Sequence, residues 1–206
     1  MRTVWIMSAT EQAGATTLAV NLGVLCHAAG LRTCVADKTR AQDAFNLLSR
    51  RLRAGPVPLA CRSTPPNAII GNALHSGADC LIIDCGTCHV PGPEHEEPGV
   101  HLFLTGPGSA ALEATVSLAS KVLSRRKPVG VVYNRGQGPG RTGDMLPAEV
   151  HSRLDLARVP FAGSMERRLI YRETMVSALG AFEAGALGGA ADIGRIWQFV
   201  RGQPNR

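Results

Sequence analysis

Residues 4–23, VWIMSATEQAGATTLAVNLG, decide the fold of this 206-residue chain. A short apolar run leads into polar residues and Gly14, and apolar residues then recur at helical spacing. This pattern predicts a strand over 3–7 and a helix over 16–29, which Gly30 ends. A turn of this kind, between a buried strand and a helix, presents backbone N–H groups to a phosphate. The sequence therefore predicts a nucleotide site at the turn.

Strands and helices alternate along the rest of the chain. Further strands are predicted over 31–36, 80–83, 101–104, 129–133 and 159–161, and further helices over 41–52, 109–123 and 189–200. Such alternation is typical of βαβ units, so we predict an α/β fold with a doubly wound, mainly parallel sheet flanked by helices. The glycine-rich stretch 136–143 is predicted to be a loop. Without a linker or an internal repeat, residues 1–206 are expected to form a single domain.

The composition argues against disordered and membrane-spanning classes of protein. The chain is 45% hydrophobic and 18% charged, which is typical of globular proteins. No apolar run approaches the roughly 18 residues that a membrane span requires. The first residues, MRTVWIMSAT, lack the longer apolar region of a signal peptide. We therefore expect a cytoplasmic protein that makes no contact with a membrane.

Basic residues are clustered, and the net charge is +6. Two interpretations remain open for these clusters: binding to nucleic-acid phosphates, or solvated helix faces. The candidates for contact with DNA are Arg125, Arg126, Lys127, Arg167, Arg168 and Arg172.

A cysteine motif follows the strand predicted over 80–83. Residues 85–89 spell C-x-x-C-H, with Cys85, Cys88 and His89 at the positions that c-type haem attachment uses. A metal site that also includes Cys80 and His95 is a second interpretation. The favoured explanation is the position of the motif at a strand end, because haem attachment requires export and a zinc site normally requires a second ligand pair.

The segment 4–23 resembles the ParA/MinD family of deviant Walker ATPases, whose loop reads K-G-G-x-G-K-[ST]-T and leads into a helix often written T-A-V-N-L-A. The stretch 17–23, TLAVNLG, matches this helix start closely. The resemblance places Thr10 at the signature lysine, Ala15 at the P-loop lysine and Thr16 at the residue that holds magnesium. Glu11 and Gln12 then stand at the paired glycines, and Gly14 at the last glycine.

The resemblance continues beyond the loop. The family motif D-x-D-P-Q corresponds to residues 37–41, so Asp37 is kept and Thr39 replaces the aspartate that positions the attacking water. The stretch 81–86, LIIDCG, resembles a Walker B strand with Asp84 at the acidic position. Residues 104–110 resemble the later T-x-P-x-x-x-A loop, and 131–135 resemble the strand that ends in an asparagine near the base. The small plasmid-partition ParA proteins have about this length.

The resemblance implies a nucleotide site, with ATP and Mg²⁺ as cofactors, in which Thr16 and Asp84 would hold the metal. If binding is retained, the site residues are Gly14, Ala15, Thr16, Thr17, Asp37, Asp84 and Asn134. A charge-assisted contact to a phosphate oxygen contributes roughly 1.5–3 kcal/mol. Ala15 has no charged group and cannot make this contact. We therefore expect weak or absent nucleotide binding, no catalytic residue and a pseudo-ATPase.

Three functions follow from the resemblance. The first is a ParA-like protein of plasmid or DNA partition, positioning or transfer, with non-specific DNA, a partition-type DNA-binding protein and a second copy of itself as partners. The second is a non-catalytic scaffold or regulator that binds a protein partner. The third is an active P-loop ATPase or ligase, which ranks last because the loop contains no lysine to replace the one it lacks.

Overall fold

The computed structural model describes residues 1–51, 59–61, 66–89, 92, 97–135, 145–166 and 169–204. The strands are β1 (Arg2–Ser8), β2 (Thr33–Asp37), β3 (Leu59–Cys61), β4 (Cys80–Thr87), β5 (Val100–Thr105), β6 (Val129–Asn134) and β7 (Phe161–Met165). The helices are α1 (Ala15–Ala28), α2 (Asp43–Arg51), α3 (Pro66–His75), α4 (Ser109–Leu123), α5 (Pro147–Leu156), α6 (Leu169–Ser177) and α7 (Leu187–Gly202).

The seven strands form one sheet in the order β3-β2-β4-β1-β5-β6-β7. Every strand pairing within the described residues is parallel. The predicted doubly wound α/β fold is therefore confirmed. In such a sheet the carboxyl ends of all strands meet at one edge, which is where ligands bind in this class of fold.

Helices cover both faces of the sheet because successive side chains of a strand point to opposite sides. In β1, Val4 and Ile6 face a core that includes side chains from α1, α2 and α7. Trp5 and Met7 face a second core, which is completed by α3, α4 and α5. The central strands are buried on both faces, which explains their nearly unbroken apolar sequences. No helix within the described part of the chain is long and apolar enough to cross a membrane.

Local sequence predicted most of the elements but misplaced one strand. Helix α4 has the predicted bounds, whereas the strand predicted over 159–161 lies instead at Phe161–Met165. The Val159 N–H donates to the Leu154 carbonyl oxygen, so this buried valine closes the end of α5 and does not begin the strand. The loop predicted over 136–143 lies outside the described residues.

Four elements were not predicted: β3, α3, α5 and α6. Helix α5 carried a recognisable signal, because Pro147 occupies its first turn and the Glu149 carboxylate accepts a hydrogen bond from the Leu146 N–H at 2.7 Å. Helix α3 also begins with a proline, but Gly71 lies in its middle and weakens the helical pattern.

Candidate functional site

The loop between β1 and α1 lies at the carboxyl edge of the sheet. Gln12 and Gly14 both adopt left-handed backbone conformations, with φ of 57° and 97°. The Ser8 hydroxyl donates a hydrogen bond to the Thr10 carbonyl oxygen at 2.8 Å and tightens the turn. Helix α1 has no side-chain cap and no acidic residue in its first turn. Its N-terminal amides are therefore available to an anion.

Asn134, at the end of β6, holds the loop in place. Its Nδ2 donates to the Ala13 carbonyl oxygen at 2.8 Å. A Cβ added to Gly14 would lie 2.5 Å from the same Nδ2, so the loop and Asn134 are packed closely. The resemblance implied a role for Asn134 near a base, which stays a prediction; the contact that the structure shows is with the backbone of the loop.

Thr16 and Asp84 form the hydrogen bond at the centre of the site. The Thr16 hydroxyl donates to Asp84 Oδ2 at 2.6 Å, and the Gly86 N–H donates to Oδ1 at 3.0 Å. Asp84 is fully buried within β4, and its desolvation raises the pKa of the carboxyl group to about 6, although the hydrogen bond from Thr16 acts in the opposite direction. A hydroxyl and a carboxylate side by side are ligands of the type that Mg²⁺ prefers, so these two residues fit a metal there.

The Asp37 carboxylate accepts hydrogen bonds from residues close to it in the chain. Its Oδ1 accepts hydrogen bonds from the Thr39 N–H at 2.8 Å and the Thr39 hydroxyl at 2.7 Å. Its Oδ2 accepts one from the Phe45 N–H at 3.1 Å, in the first turn of α2. The Thr39 oxygen in turn accepts a hydrogen bond from the Gln42 N–H at 3.1 Å. Thr39, where the family has an aspartate, thus holds the start of α2 and offers no carboxylate to a water molecule.

A cavity of about 600 Å³ opens in front of the loop. This volume lies within the usual range of small-molecule sites. Of the predicted nucleotide residues, Gly14, Ala15, Thr16 and Thr17 line the cavity, Asp84 lies behind Thr16, and Asp37 and Asn134 do not line it. The sequence-based prediction missed the opposite wall, which α2 forms with Asp43, Asn46, Leu47 and Arg50. Their spacing of three or four residues was visible in the sequence, but the direction of that helix face was not.

The cavity has a single basic side chain among the described residues that line it. Ala15, only 6% exposed, brings no amine to the position of the family's lysine. Neither Lys38 nor Arg40 lines the cavity, and Lys38 Nζ lies 5.9 Å from the centre of the Trp5 ring. The one basic residue is Arg50, near the end of α2.

The C-x-x-C-H motif belongs to the end of β4. Cys85 and Cys88 are half-buried, and the described ranges contain no group of three His, Cys, Asp or Glu side chains that could hold a metal. Cys80 lies at the opposite end of the strand, about 16 Å from Cys85 at the usual rise of a β-strand, so it is not a shared ligand. His95 lies outside the described residues.

The candidate DNA-binding residues do not form one patch. Arg125 and Arg126 are exposed and Lys127 is half-buried just after α4, at the amino edge of the sheet. Arg172 is exposed in the first turn of α6, which follows the carboxyl end of β7. The topology therefore separates Arg172 from the other three. Arg167 and Arg168 lie outside the described residues.

Comparison with known proteins identifies the fold. No protein-family model and no curated protein sequence matches the chain. Solved structures do match: the cell-division ATPase MinD of Pyrococcus furiosus is 17% identical, with a TM-score of 0.74 over 97% of this chain and 98% of that one. A putative plasmid partition protein of Borrelia burgdorferi bound to AMPPNP is 9% identical, with a TM-score of 0.67 over 96% and 97% of the two chains. A ParA-family ATPase of Chlorobium tepidum is 14% identical, with a TM-score of 0.64 over 98% and 99%. The chain has the ParA/MinD-type P-loop fold.

Gly14→Ala is expected to lower the free energy of unfolding by about 1–2 kcal/mol, because alanine is strained at a positive φ and its Cβ would meet Asn134. Gly194→Ala is the matched control. Gly194 lies inside α7 with no atom within 4 Å of an added Cβ, so this change should raise stability by about 0.5–1 kcal/mol. Urea denaturation measures both variants, and an equal effect of the two would contradict the packing described for Gly14.

Asp84 should make the stability of the protein depend on pH. Its pKa is higher in the folded state than in the unfolded chain, so its contribution is fully present below about pH 4 and is lost as the pH rises through about 6. Relative to Asp84→Asn, which does not titrate, the wild type should lose about 2 kcal/mol of unfolding free energy between pH 4 and pH 7.5. Urea denaturation of both proteins in a chelating buffer tests this expectation, and a constant difference across that range would refute it.

Proposed function

We propose that this chain acts in the partition, positioning or transfer of a plasmid or other DNA, and that its phosphate-binding loop binds nucleotide weakly without hydrolysing it. The observation that carries the proposal is the alanine at residue 15. It lines the cavity at the start of α1, where the resemblance to ParA/MinD ATPases implies a lysine. The loop around it keeps a left-handed Gly14, helix amides without a partner in the helix and the Thr16–Asp84 pair.

Loss of hydrolysis is supported at two further positions. Thr39 replaces the water-positioning aspartate, and its hydroxyl is already bonded to Asp37. Thr10 replaces the signature lysine, which in the family reaches the partner's nucleotide. Positive charge supplied across an interface contributes about a thousandfold or more to the rate of phosphoryl transfer. With this charge and the carboxylate both missing, ordinary ATPase rates are not expected.

The partners proposed for this function are non-specific DNA, a partition-type DNA-binding protein and a second copy of the chain. The net charge of +6 and the exposed Arg125 and Arg126 favour contact with a phosphate backbone.

A second candidate function is a scaffold that binds a protein partner and no DNA. It is favoured by an apolar groove of about 560 Å³ between α4 and α5, lined in part by Leu112, Val116 and Leu156. Leu156 is 83% exposed, which is unusual for a large apolar side chain beside other apolar groups. Absence of DNA binding at low salt would favour this function over partition.

Restoring the loop lysine should restore affinity for nucleotide. Ala15→Lys is expected to bind MgATP about 10–100 times more tightly than the wild type, because a charge-assisted contact to phosphate contributes roughly 1.5–3 kcal/mol. Isothermal titration calorimetry measures the difference. Ala15→Met, of similar length without the charge, is the matched control and should not gain affinity.

The same preparations test hydrolysis. The wild type should release phosphate from ATP no faster than Thr16→Ala, in which the hydroxyl that contacts Asp84 is removed. Magnesium-dependent turnover by the wild type that Thr16→Ala abolishes would contradict the proposed function.

Binding to DNA should depend steeply on salt and little on sequence. Replacing Arg125, Arg126 and Lys127 by alanine is expected to weaken binding equally on unrelated duplexes. If all three contact phosphates, the slope of log K against log salt should become smaller in magnitude by about 2.7, since each phosphate contact contributes about 0.9. Fluorescence anisotropy at several salt concentrations measures the slope. Arg40→Ala is the control, because Arg40 is exposed just after the carboxyl end of β2, at the opposite edge of the sheet from this cluster. An unchanged slope in the triple variant would exclude the cluster as the DNA contact.

A further inference from the structure

One wall of the cavity is a single face of α2. Asp43, Asn46, Leu47 and Arg50 recur at intervals of three or four residues, so their side chains lie on the same side of the helix. The facing wall consists of the loop and the first turn of α1, and residues 86 and 87 of β4 close the space between them. The cavity therefore lies between the N-terminus of one helix and the flank of another.

The wall formed by the loop offers hydrogen-bond donors but no charged side chain. The first intrahelical bond of α1 joins the Leu18 N–H to the Gly14 carbonyl oxygen at 3.0 Å. The amides of residues 15–17 precede that bond, so they have no partner within the helix. A helix end of this kind carries a partial positive charge of about one half. That is too little to replace a lysine beside a phosphate.

Arg50 brings a full positive charge to the opposite wall. The residue is exposed, and its Nε donates to the Asn46 carbonyl oxygen at 3.3 Å. This contact uses one of the five N–H groups of a guanidinium. The planar group matches the oxygens of a phosphate better than an ammonium does. Within the described part of the chain, no other basic residue lines the cavity.

The helix that carries Arg50 is fixed at both ends. At its start, Asp37 accepts the Phe45 N–H at 3.1 Å. At its end, the buried Arg51 forms an ion pair with Glu183 and donates to the Ala178 carbonyl oxygen at 3.0 Å. Because neighbouring residues of a helix point in different directions, Arg51 anchors α2 while Arg50 faces the cavity.

We propose that Arg50 supplies, from α2, the positive charge that Ala15 cannot, and that the cavity takes a nucleotide whose phosphate lies between this guanidinium and the amides of residues 15–17. The inference rests on the proposed function, because it assigns a ligand to the same cavity. The charges support it: Arg50 brings a full positive charge and the helix end about one half, from facing walls. A terminal phosphate carries about −1.5 to −2 at neutral pH, so both groups attract it. Asp43, about two turns before Arg50 on the same wall, offsets part of this attraction.

Titration calorimetry with ADP tests the role of Arg50. Arg50→Met should weaken ADP binding about tenfold or more, because it removes a charge-assisted contact, whereas Arg50→Lys should retain part of the affinity. Lys121→Met, which removes an exposed positive charge from α4, is the matched control and should bind as the wild type does. Adenosine, which has no phosphate, should not distinguish the four proteins. Thermal unfolding monitored by circular dichroism verifies that each variant is folded.

A double-mutant cycle tests whether Arg50 replaces the missing lysine. In an Ala15→Lys background, Arg50→Met should cost less affinity than it does in the wild type, because the new ammonium already neutralises the phosphate.

Equal ADP affinity of the wild type and Arg50→Met would overturn the role of Arg50 and leave the proposed function standing. No binding of ADP by the wild type at millimolar concentration would overturn both the role of Arg50 and the weak nucleotide binding of the proposed function. ATP turnover by the wild type would contradict the proposed function whatever Arg50 does, so the failures are distinguishable.

Discussion

The hydrogen bond between Thr16 and Asp84 ties the start of α1 to the interior of the sheet. It depends on the parallel pairing of β1 with β4, which brings the start of the helix that follows β1 beside a residue within β4. Burial of the Asp84 carboxylate is costly, and the two hydrogen bonds from Thr16 and Gly86 offset part of that cost. An unfavourable buried charge that is nevertheless held in place is typical of binding sites. The loop, the helix amides and the cavity are all arranged around it.

The positive charge of the site lies on a different element from the one that the sequence motif indicates. Position 15 is an alanine, whereas α2 carries two adjacent arginines, Arg50 and Arg51, with different roles. Arg51 is buried and pairs with Glu183, which fixes the helix, and Arg50 lines the cavity. A charge on a helix differs from one on a loop, because the backbone that carries it is already ordered before a ligand binds.

Local sequence predicted the bounds of an element well where residues at both of its ends marked them. Helix α4 was predicted with its observed bounds, because a glycine precedes it and apolar periodicity runs unbroken to Leu123. The last strand was misplaced, because an apolar residue such as Val159 is equally suited to closing a helix and to starting a strand. Within the site, the contacts of Thr16 could be anticipated from the motif. The contact of Asn134 with the Ala13 carbonyl could not, because these residues are far apart in the chain.

The sequence by itself determined the alternation of strands and helices, the turn at Gly14 between a buried strand and a helix, and the uncharged residues Thr10 and Ala15 at that turn. These properties depend on residue type and local periodicity, which need no knowledge of neighbours. Only the tertiary structure decided that α2 faces the turn with Arg50, and that Arg172 is separated from the basic cluster after α4. The physical reason is that the direction of a helix face and the edge at which a turn lies are set by the order of the strands. That order is fixed by contacts between residues distant in the chain.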